Sequence, residues 1–247
     1  MVRTLWLGVS TLNRCLFSLF LFLSLPLFAL QPTPVPRPSE AAFQELKDGN
    51  ARFARGHRAL HDLTRQREKS LEKQNPRAAI LACSDSRVAP ELVFDQGVGH
   101  LFSVRVAGNV AEPATVASVE YAIEHLGVRL VVVLGHEKCG AVKAALETKA
   151  VAQPSTPMEK LLALITVGTT PKEEPGKKVA DEDRLHFAVR ANVDSVYTKL
   201  LADSPLIQSY LAKGELKVVP AVYDLSSGLV NFFEAPSQEV AAVPASN

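Results

Sequence analysis

The stretch AAILACSDSRVAPE (78–91) decides how the rest of the chain is read. Ala78–Ala82 is apolar and carries no charge, then a thiol, a carboxylate and a guanidinium follow at alternate positions as Cys83, Asp85 and Arg87. A short apolar run bounded in this way reads as a strand covered on both faces. Spacing of two along an extended segment sets the three reactive side chains on one side. That is too much chemistry for a buried strand and too little symmetry for a solvated face.

Outward from this strand the texture repeats. LFSVRVAG, from Leu101, reads as a second strand, and RLVVVLGH (129–136), β-branched through its middle, as a third. Between them EPATVASVEYAIEHLG (112–127) has Pro near its start and Gly at its end, the order of a helix. CGAVKAALETKA (139–150) reads as a helix that starts beside Cys139. Strands alternating with helices predict a parallel sheet with right-handed crossovers.

Further on, an irregular region from Pro154 to Lys178 is interrupted by the helical MEKLLALIT. ADEDRLHFAVRANVDSVYTKLLADS (180–204) is a long amphipathic helix, and PLIQSYLAKG a short one. LKVVPAVYDLSSGLVNFF (216–233) reads as two strands joined by an SSG turn, an antiparallel pair at the sheet edge, with Pro220 implying a bulge or an edge position. Ahead of the sheet, Ser39 is placed to cap a helical arm, SEAAFQELKDGNARFARG. The fold class is therefore α/β: a mostly parallel β-sheet with an antiparallel edge strand, flanked by helices and preceded by an N-terminal helical arm.

The 247 residues, 47% hydrophobic, suffice for one sizeable core. With 27 basic and 26 acidic residues, the charge balance points to neither nucleic acid nor an acidic membrane as partner. The first 14 residues carry two arginines and no acid, and CLFSLFLFLSLPLFAL follows as a continuous apolar run. This is the pattern of a secretory signal peptide, read as residues 1–29, followed by a Pro-rich linker at 30–38 and a single domain at 39–247. The expected location is periplasmic or secreted, with no membrane attachment after cleavage. Removing Cys15 leaves Cys83 and Cys139, for which a disulfide is the first expectation in an oxidising compartment.

A different use of the two thiols competes with that expectation. AAILA ends at Cys83, and VVVLG ends at His136 with Cys139 three residues on. Ligands of open parallel sheets sit beyond the carboxyl ends of the strands. Adjacent strands would bring Cys, His and Cys to one crevice, a soft donor set suited to zinc with a fourth position open. The start of a helix beside Cys139 favours its thiolate.

CSDSR (83–87), followed about fifty residues later by GHEKCG (135–140), resembles the β-class carbonic anhydrases, here of an exported bacterial type. The likeness runs from Glu40 to Phe233 and includes FSVRVAGN, SVEYAIEHLGV, RANV and AVYDLSSG. It implies one zinc ion per chain held by Cys83, His136 and Cys139, and reversible hydration of carbon dioxide to bicarbonate and a proton by attack of a zinc-bound hydroxide. Asp85 and Arg87 become a charge-paired dyad that orients that hydroxide. The two thiolate ligands imply activity that rises toward alkaline pH. Gln74, Phe102 and Tyr121 match the substrate pocket of members whose aspartate stays off the metal, and Gly140 is expected to serve substrate with a backbone N–H beside the metal and no side chain to crowd it. His100, His125 and His186 are candidate proton shuttles, and self-association as a dimer or tetramer is implied. Two other readings stand beside this one: a hydrolase of carbon disulfide or carbonyl sulfide on the same fold, and a metal-free, disulfide-stapled binding protein.

Overall fold

Residues 38–148, 153–168 and 180–235 are described by the computed structural model. The signal peptide read at 1–29, and the linker up to residue 37, lie outside the described residues, as do parts of the irregular region from 154 to 178.

Five strands of the described residues form one sheet: β1 (Ala78–Ala82), β2 (Leu101–Arg105), β3 (Leu130–His136), β4 (Lys217–Tyr223) and β5 (Val230–Phe232). Their order is β2-β1-β3-β4-β5, parallel throughout except for the antiparallel β4–β5 pair. All five residues of β1 and all seven of β3 are buried, which is why these stretches read as continuous apolar runs. The β1–β3 register pairs Ala82 with Leu134, so the two strands end nearly level with one another.

Pro220 does not sit on an edge strand, because β4 pairs with β3 on one side and β5 on the other. Its carbonyl receives the Phe233 N–H at 2.9 Å. A residue's N–H and C=O point to the same side of a strand, so the missing donor of Pro220 faces β5 where that short strand stops, and no bond to β3 is lost.

Among the described residues eight α-helices surround the sheet: α1 (Pro38–Ala54), α2 (Leu63–Lys69), α3 (Pro90–Val93), α4 (Pro113–Leu126), α5 (Gly140–Glu147), α6 (Pro157–Ala163), α7 (Asp181–Ala202) and α8 (Pro205–Ala212). The arm helix begins at Pro38, so Ser39 lies within its first turn rather than before it. Proline in a first turn gives up an N–H that has no intrahelical partner there. In α4 the Glu112 N–H reaches the Thr115 hydroxyl at 2.9 Å, and Gly127 ends the helix at φ 71°, a left-handed conformation that favours glycine.

The side chains of β1 divide the core. Ala79 and Leu81 pack with Val119 and Ile123 of α4 and with Val189 and Val193 of α7. Ala78, Ile80 and Ala82 pack on the other face with Ala42 and Leu46 of α1 and Val93 of α3. Leu46 is fully buried, so the helical arm is a working part of that face, and truncating Leu46 to alanine costs about 2–5 kcal/mol. Among the described residues no helix is long and apolar enough to cross a membrane.

Candidate metal centre

β1 and β3 deliver their terminal side chains to one place. Cys83 follows the last residue of β1, His136 is the last residue of β3, and Cys139 precedes α5. Lys138, at φ 55°, turns the chain between His136 and Cys139 through a left-handed conformation. The ligand atoms of Cys83, His136 and Cys139 all lie within 4.8 Å of one another, and all three residues are buried.

Three observations show that this set fits a tetrahedral zinc ion. The thiols are free, with sulfurs 4.0 Å apart. Two zinc–sulfur bonds at a tetrahedral angle would separate them by about 3.8 Å, whereas a disulfide needs about 2.05 Å. The structure thus holds the pair at the spacing of ligands and not as the disulfide expected for an oxidising compartment. Secondly, His136 Nδ1 donates to the Glu137 carbonyl at 2.9 Å, which leaves the lone pair of a neutral ring on Nε2. That Nε2 is buried and has no hydrogen-bond partner, a costly arrangement unless a cation completes it. Thirdly, the sulfurs share negative charge. The Cys139 thiol and the Gly108 N–H hold the Cys83 thiol well below its ordinary value against the opposing effect of burial. The neighbouring Cys83 sulfur, and burial, push Cys139 up. A divalent cation relieves that competition by neutralising two thiolates.

Asp85 stands at the rim. Arg87 grips it with two parallel bonds, Nε to Oδ1 at 2.9 Å and Nη2 to Oδ2 at 2.7 Å, and the Arg87 backbone N–H adds a third at 2.9 Å. These bonds hold the Asp85 carboxyl well below the usual carboxylate range, so it is ionised at neutral pH. Its Oδ2 comes within 3.8 Å of His136 Nε2. Because both oxygens are engaged by Arg87, the carboxylate faces the cluster without belonging to it.

Three residues that support the site carry no role in the sequence reading. Arg105, at the end of β2, donates to the Cys83 carbonyl at 3.1 Å and to the Asp85 carbonyl at 2.7 Å, fastening both turns of CSDSR to the neighbouring strand. The Gly108 N–H points at Cys83 Sγ from 3.4 Å. Asn192, buried in α7, donates to the Gly108 carbonyl at 2.8 Å and accepts the Thr166 N–H at 3.2 Å. Asn192 therefore positions the amide that meets the sulfur. One signal was available: Asn192 is the single polar residue in the buried stripe Ala188, Val189, Asn192, Val193, Val196, Tyr197 and Leu200.

The residues matched to the substrate pocket do not all meet the metal cluster within one chain. Gly140 adjoins Cys139, and a side chain there would enter open space. Phe102 pairs with Ala79, four residues before Cys83, or about 13 Å at strand rise. Its ring lies 6.1 Å from that of Tyr121, and Tyr121 and Gln74 line a separate recess of about 370 Å³ before β1. The His125 ring lies 4.9 Å from that of Tyr121, tilted by 39°, in that same recess. His186 instead bonds Glu137 at 2.8 Å, and Lys138 pairs with Glu182 at 3.3 Å, so the start of α7 is tied to the His136–Cys139 turn.

A family model described as carbonic anhydrase matches residues 78–230. A carbonic anhydrase of Mycolicibacterium smegmatis is 38% identical over 192 residues, covering 77% of this chain and 91% of that protein. The structure of the β-carbonic anhydrase CcaA superposes with a TM-score of 0.59 at 27% identity, over 82% of this chain and 95% of the other. One of two tetrameric β-carbonic anhydrases from Sordaria macrospora shares the fold, with a TM-score of 0.58 at 22% identity over 78% and 97% of the two chains.

Proposed function

The chain belongs to the β-carbonic anhydrase family, and from that premise we propose that it hydrates carbon dioxide reversibly to bicarbonate and a proton, with one zinc ion per chain held by Cys83, His136 and Cys139. The observation that carries the reading is the buried, unpartnered Nε2 of His136 within 4.8 Å of two free thiols.

Zinc, when bound, supplies the Lewis acidity that makes water a nucleophile near neutral pH, an effect for which carbonic anhydrases are the general example. The chain's own residues do the rest. Arg87 keeps Asp85 ionised and fixes its two oxygens, so that Oδ2 offers a lone pair toward the cluster as a proton acceptor. Zinc would be held by Cys83, His136 and Cys139, while the Arg87 grip draws the Asp85 carboxylate toward the guanidinium. Arg105 fixes the backbone on both sides of Ser84, setting the angle between the Cys83 sulfur and the Asp85 carboxylate.

Gln74, Phe102 and Tyr121 are assigned to substrate across an interface, since about 13 Å of strand separates Phe102 from Cys83 within one chain. A second copy would bring that recess to the metal. Self-association as a dimer or tetramer follows, supported by tetrameric assembly among proteins of this fold. The basic and apolar N-terminal sequence supports export to the periplasm or beyond, with zinc shielding both thiolates from oxidation.

Zinc per chain and stopped-flow hydration of carbon dioxide test the proposal together. The expected result is one zinc per chain and a hydration rate that disappears with the metal. Zinc-loaded protein without hydration activity would overturn the assigned reaction, and protein that binds no zinc would overturn the metal site.

A further inference from the structure

Away from the metal, the chain gathers positive charge in one place without neutralising it. Many of its other described cations meet acids: Arg52 and Arg58 flank the buried Asp95, Arg190 pairs with Asp194, Lys199 with Asp203, and Lys217 with Glu40. Lys69, Lys73 and Arg77 form no ion pair with the described residues, yet all three line a single recess of about 180 Å³ between the end of α2 and the Val98–His100 turn. No aspartate or glutamate lines it. The overall balance of 27 basic to 26 acidic residues makes three unpaired cations around one hollow a local feature and not a by-product of a basic chain.

The walls are fixed. The Gln66 side-chain oxygen receives the Val98 N–H at 3.0 Å, which anchors the amide and leaves its NH₂ donors to the recess. The Arg77 N–H reaches the His100 carbonyl at 2.7 Å, joining the start of β1 to the opposite wall. Asn75 contributes a second amide to the lining. His100 is held toward its neutral form by burial, and by the charge of Arg77 against that of Glu45, so it adds no fourth charge. Lys69 also complements the carbonyls at the end of α2, but Lys73 and Arg77 lie outside any helix end.

We propose that this recess is a binding site for a compact, multiply charged oxyanion of the phosphate type, free or as a small phosphomonoester. A monoanion would leave two of the three cations uncompensated. A tetrahedral dianion can take the planar fork of Arg77 on two oxygens and the lysines and the Gln66 amide on the others. The site is distinct from the metal cluster of its own chain, although Lys73 and Asn75 also line the neighbouring recess that holds Gln74 and Tyr121.

The experiment is isothermal titration of the zinc-loaded protein at fixed ionic strength with inorganic phosphate, with glycerol 3-phosphate, and with chloride as the screening control. Saturable binding of one phosphate per chain is expected, weakened at least tenfold in Arg77→Gln and in Lys69→Gln/Lys73→Gln, and unchanged in Lys199→Gln. These side chains are exposed, and circular dichroism confirms that each variant is folded. Binding of the ester but not of phosphate would also support the site and identify the ester as its ligand. Binding that persists in both recess variants would place the anion elsewhere, the metal centre included, and overturn the proposal. Heats that never saturate, or that chloride reproduces, would reduce the recess to a screened surface and overturn it equally.

Discussion

Replacing Gly108 by alanine tests how the fold holds the first zinc ligand. Gly108 sits at φ 70°, and a methyl group built there would stand 2.7 Å from Ile165 Cδ1 and 3.1 Å from its Cγ1. Two separable costs follow. The left-handed backbone disfavours any residue with a Cβ by about 1–2 kcal/mol. Ordinary contact begins near 3.4 Å, so Cδ1 must yield by about 0.7 Å (3.4 − 2.7), which adds roughly 1 kcal/mol of overpacking. The total of roughly 2–3 kcal/mol corresponds to a fall in Tm of about 4–12 °C for a domain of this size. The loop also carries the N–H that faces Cys83 Sγ, and metal ligands tolerate displacements of only about 0.2 Å. Zinc should therefore be lost to a competing chelator at lower chelator concentration. The companion variant Ile165→Val removes Cδ1 and leaves the backbone conformation alone. In Gly108→Ala/Ile165→Val the 2.7 Å contact should vanish, the milder 3.1 Å approach to Cγ1 should stay, and the backbone cost of about 1–2 kcal/mol should remain. Thermal unfolding with chelator competition across the four proteins reads both. Full rescue by Ile165→Val would refute the backbone reasoning, and unchanged zinc affinity in Gly108→Ala would refute the role given to the amide.

Asp85→Asn should retain one zinc per chain, because Asp85 is outside the ligand cluster, while carbon dioxide hydration falls roughly 10²-fold with the positioned proton acceptor; metal loss in this variant would make Asp85 a ligand instead. Chelating the metal should expose two thiols per chain to alkylation that the zinc-loaded protein shields, since Cys83 and Cys139 are both free; equal labelling with and without chelator would contradict their role. Asp224 is held down to about 2 by the hydroxyls of Ser226 and Ser227 and the Ser226 N–H. A carboxyl lowered on folding contributes stability that is complete above its unfolded value of about 3.9 and is lost as pH falls toward the folded value. Ser226→Ala/Ser227→Ala should therefore lower Tm at pH 7 and converge with the unaltered protein near pH 2; a constant difference across that range would dissociate the turn from Asp224.

Much of the fold was legible because its signals are local. A strand buried on both faces has to be apolar at every position, and AAILA and LVVVLGH are; a helix opened by Pro113 and closed by Gly127 has to carry those residues at its ends. The metal set was legible for a topological reason. Adjacent parallel strands expose their carboxyl ends on the same side of a sheet, so a ligand at the end of each is already a spatial statement. Pro220 and Ser39 were misplaced by small margins, because strand neighbours and the first helical residue depend on partners far along the chain.

The support behind the ligands was not legible, for the same reason turned around. Arg105 reaches carbonyls of residues 22 and 20 positions away, and Asn192 reaches one 84 positions away. A backbone carbonyl leaves no mark in a sequence, so FSVRVAGN and RANV, which contain Arg105 and Asn192, carry the resemblance without revealing either contact. What remains visible is the anomaly each creates in its own element. A polar residue on the apolar face of a helix must find a partner there or destabilise it, and Asn192 finds its partners in Gly108 and Thr166. Gly108 in turn is glycine because its backbone is left-handed and Ile165 fills the space beside it. The sulfur of Cys83 is thus set from both ends, by the strand that carries it and by a helix more than a hundred residues downstream. A change confined to α7 should consequently alter zinc affinity without touching a ligand, and Asn192→Leu, which keeps the apolar stripe and removes the bond to Gly108, is the substitution in which that coupling would have to appear.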